Sequence, residues 1–343
     1  MTDLHPTDDL DAALSALHAD VPTDPERLGQ TRAAFLDTVG RSTTGEPATT
    51  RGRFRRRWLV AAAAVLTLVT GGSLYATTLP GGSAEAKSAL NEAAQHITGA
   101  SDPVVPPGKY RYLVWHSWDS VATEAPGDVL TYLKESVIEV WIPADIRGTW
   151  YLRQSSTGKR KWLKGSDEQA RKLGLPLNEP HSDTSTAKCG AFYGGGPCAA
   201  NGGWQDPSLE WIEQLPKDPD ALFARLKMDA PSNSRGETEY LVYAEDALRT
   251  GMLPAEVRAA LYRALGNLKH LKITDHAVNL DGQVGVAYSS DDGDLRVEIV
   301  IDPDTGAYLG SREVASSGKL RGKVISYSSF STAVAPAPWK TPR

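Results

Sequence analysis

WLVAAAAVLTLVTGGSLYATTL, residues 58–79, runs for 22 residues without Asp, Glu, Lys, Arg or His. As a helix rising ~1.5 Å per residue it would be about 33 Å long, against a hydrocarbon core of ~30 Å. Arg51, Arg53, Arg55, Arg56 and Arg57 stand directly before it. A basic cluster holds its side of an apolar segment in the cytoplasm. The stretch therefore predicts one membrane crossing, with residues 1–57 inside and 80–343 outside. A cleavable signal needs a short charged start and an apolar run of ~7–15 residues. Here 57 residues precede a longer run, so an uncleaved anchor is the expectation. Ala84-Glu85-Ala86 keeps cleavage open as the alternative.

The 264 residues after this stretch suffice for one large domain or two small ones. They carry 29 basic and 33 acidic side chains. No basic face stands out among them, which argues against nucleic-acid binding. The two cysteines, Cys189 and Cys198, flank GAFYGGGP. Two thiolates alone do not fill a tetrahedral zinc shell. Outside the cytoplasm such a pair is expected to oxidise, so a disulfide is expected.

Residues 1–50 hold nine acidic side chains and three arginines. Within them DDLDAALSALHA and PERLGQTRAAFLDTVG have the spacing of two short amphipathic helices. They read either as a weakly structured acidic tail or as a docking segment for a cytoplasmic partner. Residues 84–98 read as a helix lying near the outer leaflet. KYRYLVWHSW (109–118), SVIEVWI (136–142), TWYLRQ (149–154) and KRKWL (159–163) read as strands, being rich in aromatic and β-branched residues. Residues 174–205 read as an irregular loop. Asp206-Pro207 and Asp218-Pro219 each pair an N-cap acid with proline at the first helical position. They start helices that continue through 238–250 and PAEVRAALYRAL. Five strands close the chain, over 271–275, 283–290, 294–301, 307–314 and 323–330. In LRVEIVI the apolar side chains share one face, with Arg296 and Glu298 on the other, as in a sheet with one face buried and one wet. The proline-rich residues 331–343 read as a loose tail.

Trp115, Trp118, Trp141, Trp150 and Trp162 fall within 48 residues. Such density implies a large core or an aromatic-lined groove, whose candidate members are Tyr112, Trp115, Trp118, Trp141 and Trp150.

A search for chemistry finds no His-Glu-xx-His helix, no Gly-x-Ser-x-Gly elbow and no phosphate loop. Ser-xx-Lys at Ser156, Ser185 and Ser316 lacks its companion motifs. His116, His270 and His276 are scattered, and Asp291, Asp292 and Asp294 miss the EF-hand spacing. No catalytic residue, metal ligand or cofactor is assigned, and a non-enzyme is expected.

The order of arginine-flanked anchor, aromatic strands, the LPxDPxxLxxxL helix from Leu215 to Leu226, PAEVRAALYRAL and LRVEIVIDPDTGAYLG resembles a family of actinobacterial single-pass membrane proteins of unassigned function. Their genes often neighbour those of extracytoplasmic-function sigma factors. The element order is also similar to the lipoprotein-carrier and sigma-regulator fold of the LolA and RseB type. The resemblance implies an α+β protein: one transmembrane helix, then an extracytoplasmic curved antiparallel sheet over 80–330, partly covered by helices. It implies a non-catalytic protein of the cell membrane that senses or scaffolds. Its outer domain would bind a lipid, lipoprotein or envelope protein, and its tail a sigma factor. The tail lacks cysteine, which excludes a zinc-type anti-sigma module. A cell-envelope hydrolase and a passive tethered domain are the alternative readings.

Overall fold

The computed structural model describes residues 83–99, 102, 104–125 and 128–342. They form a mixed α+β domain: helix α1 (Ser83–Gly99), strands β1 (Tyr110–Ala125), β2 (Asp128–Pro143) and β3 (Thr149–Lys164), helix α2 (Asp167–Lys172), and strand β4 (His181–Lys188). Helices α3 (Leu209–Glu213), α4 (Pro219–Asp229), α5 (Glu237–Arg249) and α6 (Ala255–Leu265) follow. The last five strands are β5 (Lys272–Val278), β6 (Val284–Asp291), β7 (Leu295–Ile301), β8 (Tyr308–Ala315) and β9 (Val324–Ala335). All nine belong to one open sheet of order β4-β3-β2-β1-β9-β8-β7-β6-β5. Every neighbouring pair is antiparallel. Two meanders thus meet where β1 pairs with β9.

The expected leading transmembrane helix is not supported. Among the described residues no helix is long and apolar enough to cross a membrane. Residues 58–79, on which that expectation rested, lie outside the described residues, as do Arg51, Arg53, Arg55, Arg56 and Arg57 and the whole of 1–57. The single-pass arrangement, the cell-membrane location and the membrane as a partner are therefore withdrawn. Helix α1 does not lie on an outer leaflet either. Its Ala86, Leu90, Ala93, Ala94 and Ile97 are all buried, spaced as one helical stripe that packs on α6 and β5. Small side chains on both helices (Ala93 and Ala94, Ala260 and Ala264) allow that close approach.

The helices cover one face of the sheet. Leu241, Ala244 and Leu248 of α5, and Val257, Leu261 and Leu265 of α6, meet Tyr288, Val297, Ile299 and Ile301. Trp204, Tyr262, Tyr288, Leu222 and Leu226 are among the largest fully buried side chains. The side expected to hold an apolar concavity is thus filled by the protein's own core. The Asp218 carboxylate accepts from Ala221 N at 2.9 Å, with Pro219 opening α4. The Tyr262 hydroxyl donates to Gly306 O at 3.1 Å and ties α6 to the β7–β8 turn. Gly306 sits at φ +68, and a side chain there would meet Ala93 O at 2.6 Å and the Ile97 side chain. Only glycine fits that junction.

Cys189 and Cys198 are joined, with Cα atoms 5.9 Å apart. Asp206, rather than capping a helix, accepts from Gly196 N at 3.0 Å, and Ser208 takes the cap of α3 by accepting from Trp211 N at 3.1 Å. Gly190, at φ +67, lies against the Trp150 ring, where a Cβ would come within 2.7 Å. The bridge therefore fixes a loop beside a core tryptophan. Replacing both cysteines by serine is expected to cost about 2–3 kcal/mol, the chain-entropy value for so short a ring. Urea denaturation of the two chains measures it, and an unchanged midpoint would contradict the role.

Candidate functional site

Side chains alternate across each strand, and register lines them up between strands. On the sheet face away from the helices, β1 contributes Tyr110, Tyr112, Val114, His116 and Trp118. One row runs Ala333, Tyr112, Trp141, Tyr151 across β9, β1, β2 and β3. The next runs Ser331, Val114, Glu139, Arg153. Tyr112 and Trp141 have ring centroids 5.2 Å apart, and Tyr110 meets Tyr151 at 5.8 Å.

Arg153 crosses from the second row to the first. Its Nε and Nη2 donate to Glu139 at 2.5 and 2.6 Å, while its guanidinium lies 5.2 Å from the Trp141 ring centre. The Tyr112 hydroxyl donates to the same carboxylate at 2.6 Å. Burial pushes the Glu139 carboxyl up, but the bonds from Arg153 and Tyr112 and the Arg153 charge outweigh it, so the group is held below its ordinary range. Burial, the Glu139 bond and its charge raise the Tyr112 hydroxyl. The arginine is thus fixed and neutralised, and it presents a flat cation on an aromatic floor.

The segment after β9 closes over this floor. Pro336 and Pro338 carry no backbone donor and cannot extend a ladder. Residues 337–340 form a turn, in which Lys340 N donates to Ala337 O at 3.4 Å. The Trp339 ring lies 5.3 Å from both Trp141 and Tyr151, edge-on to each. The Trp141 indole N–H donates to Lys340 O at 2.8 Å. Composition predicts a loose tail over 331–343; the structure continues β9 through Ala335 and sets Trp339 and Lys340 against the sheet.

Further along the same face, His116 lies between two carboxylates, 2.7 Å from Asp281 and 3.0 Å from Glu135. Each ring nitrogen thus faces one carboxylate. Glu135 also accepts from Thr157 at 2.6 Å and meets Lys159 at 2.9 Å. Burial opposes its ionisation, yet the bonds from Thr157, Lys159 and His116 and the Lys159 charge bring its pKa down to about 2. Asp281 lies in the β5–β6 turn and also accepts from Ser329 of β9, so that hairpin folds back onto β1 and β9. Beyond it, buried Glu298 joins Arg296 at 2.7 Å and Arg312 at 2.5 Å.

The expected groove aromatics are divided by this geometry. Tyr112, Trp118 and Trp141 share the open face, where Lys161 lies 4.3 Å above the Trp118 ring centre. Trp115 faces the helix side against Phe330 at 5.2 Å, and Trp150 sits in the core with its indole donating to Ile146 O at 2.8 Å. They form no common groove. Arg153, Glu139, Tyr151 and Trp339 are site members that sequence reading missed. The signal for Trp339 was a tryptophan set between prolines.

Both ring nitrogens of His116 are engaged by carboxylates. Among the described residues no group of three or more His, Cys, Asp or Glu side chains could hold a metal ion. Asp291 ends β6, and Asp292 and Asp294 lie in the β6–β7 turn, where Asp292 accepts from Asp294 N and Leu295 N at 3.0 and 2.7 Å. Arg153 pairs with Glu139, while Arg296 and Arg312 share Glu298.

No protein-family model matches this chain, and no curated protein matches it significantly. The resemblance to actinobacterial membrane proteins and to lipoprotein carriers is accordingly withdrawn. With it fall the sigma factor, lipid, lipoprotein and envelope-protein partners and the roles of anchored sensor, envelope hydrolase and tethered scaffold.

Proposed function

We propose that this domain is a non-catalytic recognition protein that takes a polypeptide on the open face of its sheet, around Trp141 and Arg153. The observation that carries this reading is the placement of rings. The helix side is spent on the core, while Tyr110, Tyr112, Trp141 and Tyr151 gather on the other face, where Trp339 lies against Trp141 and Tyr151. Aromatic and arginine side chains dominate the energetics of protein interfaces, and here both are held in place by their own neighbours.

A photo-crosslinking amino acid at Ser155, beside Arg153 on this face, is expected to yield a discrete protein adduct in the source cells. The same probe at Met228, 73% exposed on α4, is expected to yield none, and Tyr151→Ala is expected to abolish the Ser155 adduct. Equal labelling at both positions, or an adduct indifferent to Tyr151→Ala, would overturn the reading.

A further inference from the structure

We infer that residues 336–342 are a releasable strap occupying a peptide site, and that the partner displacing it presents the same chemistry: a proline followed by an aromatic residue in a turn. The inference rests on the recognition reading above and names the partner class for that surface.

Three observations carry it. First, the strap is built as a ligand and not as a continuation of the sheet. Pro336, Pro338 and Pro342 deprive it of three backbone donors, and proline-rich segments are the usual occupants of aromatic-lined grooves. Second, its ring contacts and its hydrogen bond to the sheet run through Trp339 and Lys340. Trp339 lies against Trp141 and Tyr151, and the Trp141 indole donates to Lys340 O. Trp339 remains 36% exposed, so the contact is made at an edge that solvent already reaches. Third, the turn is strained at its anchor. Trp339 has φ +63, in the left-handed region that suits glycine and is a genuine outlier for a bulky side chain. Proline at one position and positive φ at the next is the pattern of a type II turn, which normally places glycine or asparagine second. A tryptophan held there trades backbone comfort for ring contact. A peptide that delivers an aromatic ring to the same place without that strain competes favourably with the strap.

The site is fit for such an occupant whether or not it arrives in cis. Ala333 and Ala335 of β9 are small and pack beside the buried Tyr112 and Trp141 rings. Arg153, locked by Glu139, supplies a planar cation against the Trp141 ring. An incoming proline–aromatic turn would place its ring between Trp141 and Tyr151 and offer a carbonyl to the Trp141 indole.

The test uses the full chain carrying Trp339→Ala and a labelled peptide of sequence VAPAPWKTP, residues 334–342. By fluorescence anisotropy the variant is expected to bind the peptide at least tenfold more tightly than the unaltered chain does. A peptide with alanine in place of its tryptophan is expected to bind neither, and adding Tyr151→Ala to the variant is expected to remove the gain. Should Trp339→Ala fail to fold, Trp339→Phe serves, with a smaller gain expected. A folded variant no better than the unaltered chain would overturn the strap while leaving the Ser155 crosslink, and so the recognition reading, standing. A dimer whose formation tracks the gain would overturn the partner class in favour of a second copy's strap.

Discussion

Trp141→Ala is expected to destabilise the domain by about 3–5 kcal/mol, the cost of emptying a large buried ring site. Trp141 is fully buried, yet it lies on the face opposite the main core. Its ring supports Tyr112 at 5.2 Å, Trp339 at 5.3 Å and the Arg153 guanidinium at 5.2 Å, and its indole holds Lys340 O at 2.8 Å. Removing it leaves Glu139 and Arg153 paired on a floor with a hole in it, and leaves Trp339 without its main reason to adopt positive φ. Two readouts should move together. The guanidinium midpoint should fall, and tryptic cleavage after Lys340 should accelerate because the strap is freed. Trp150→Ala makes a comparable hole on the helix side, with its ring against the stapled loop. It should lower the midpoint without changing cleavage after Lys340. A loss below 1 kcal/mol for Trp141→Ala, or equal cleavage in both variants, would show that the open face does not depend on this ring.

The elements whose side chains face one way were legible in the sequence, and those that face two ways were not. LRVEIVI announces its buried face through Val297, Ile299 and Ile301, and all three are buried. The same alternation marks Glu298 as wet, but Glu298 is buried, because Arg296 and Arg312 close over it from the same and the neighbouring strand. HSDTSTAK, read within an irregular loop, is the edge strand β4, exposed along almost its whole length. With neither face buried it has no apolar period to detect. Trp115 and Trp118 illustrate the limit for the site. Their odd spacing sends them to opposite faces, but nothing local says which face the helices will cover. Asp281 is more remote still, since only the fold-back of the β5–β6 turn brings it to His116.

The domain is expected to be most stable in mildly acid solution, near pH 5, and to lose stability on either side for reasons located on opposite faces of the sheet. On the helix side, burial raises the carboxyl of Glu245, with Arg249 and the Tyr308 and Ser311 hydroxyls only partly offsetting it. Burial likewise raises Asp246, against Arg249 and Gln205, and raises Glu313, where Glu245, Asp119 and Asp246 add to the effect. A carboxyl whose pKa is higher folded than unfolded binds its proton more tightly in the folded chain. It therefore destabilises the fold as pH rises above the unfolded value, until the folded value has been passed. Incompletely compensated desolvation costs about 1–3 kcal/mol per group. With nearby arginines offsetting only part of the burial, all three are expected to weaken the fold as pH rises above the unfolded carboxyl value. On the open face the sign reverses. Glu135, at about 2, and Glu139 are lowered, so their contribution is complete above the unfolded value of 4.5 and is lost as pH falls toward 2. Glu245→Gln separates the limbs. The amide keeps an acceptor for Tyr308, at 2.8 Å in the unaltered chain, and for Ser311, at 3.2 Å, while removing the charge. Urea midpoints at pH 3, 5 and 8 should show the variant more stable than the unaltered chain at pH 8 and indistinguishable from it at pH 3. Stability that climbs from pH 5 to 8 in the unaltered chain would contradict the assignment. So would an alkaline limb untouched by Glu245→Gln, because the helix-side carboxyls would then be solvated rather than strained by burial.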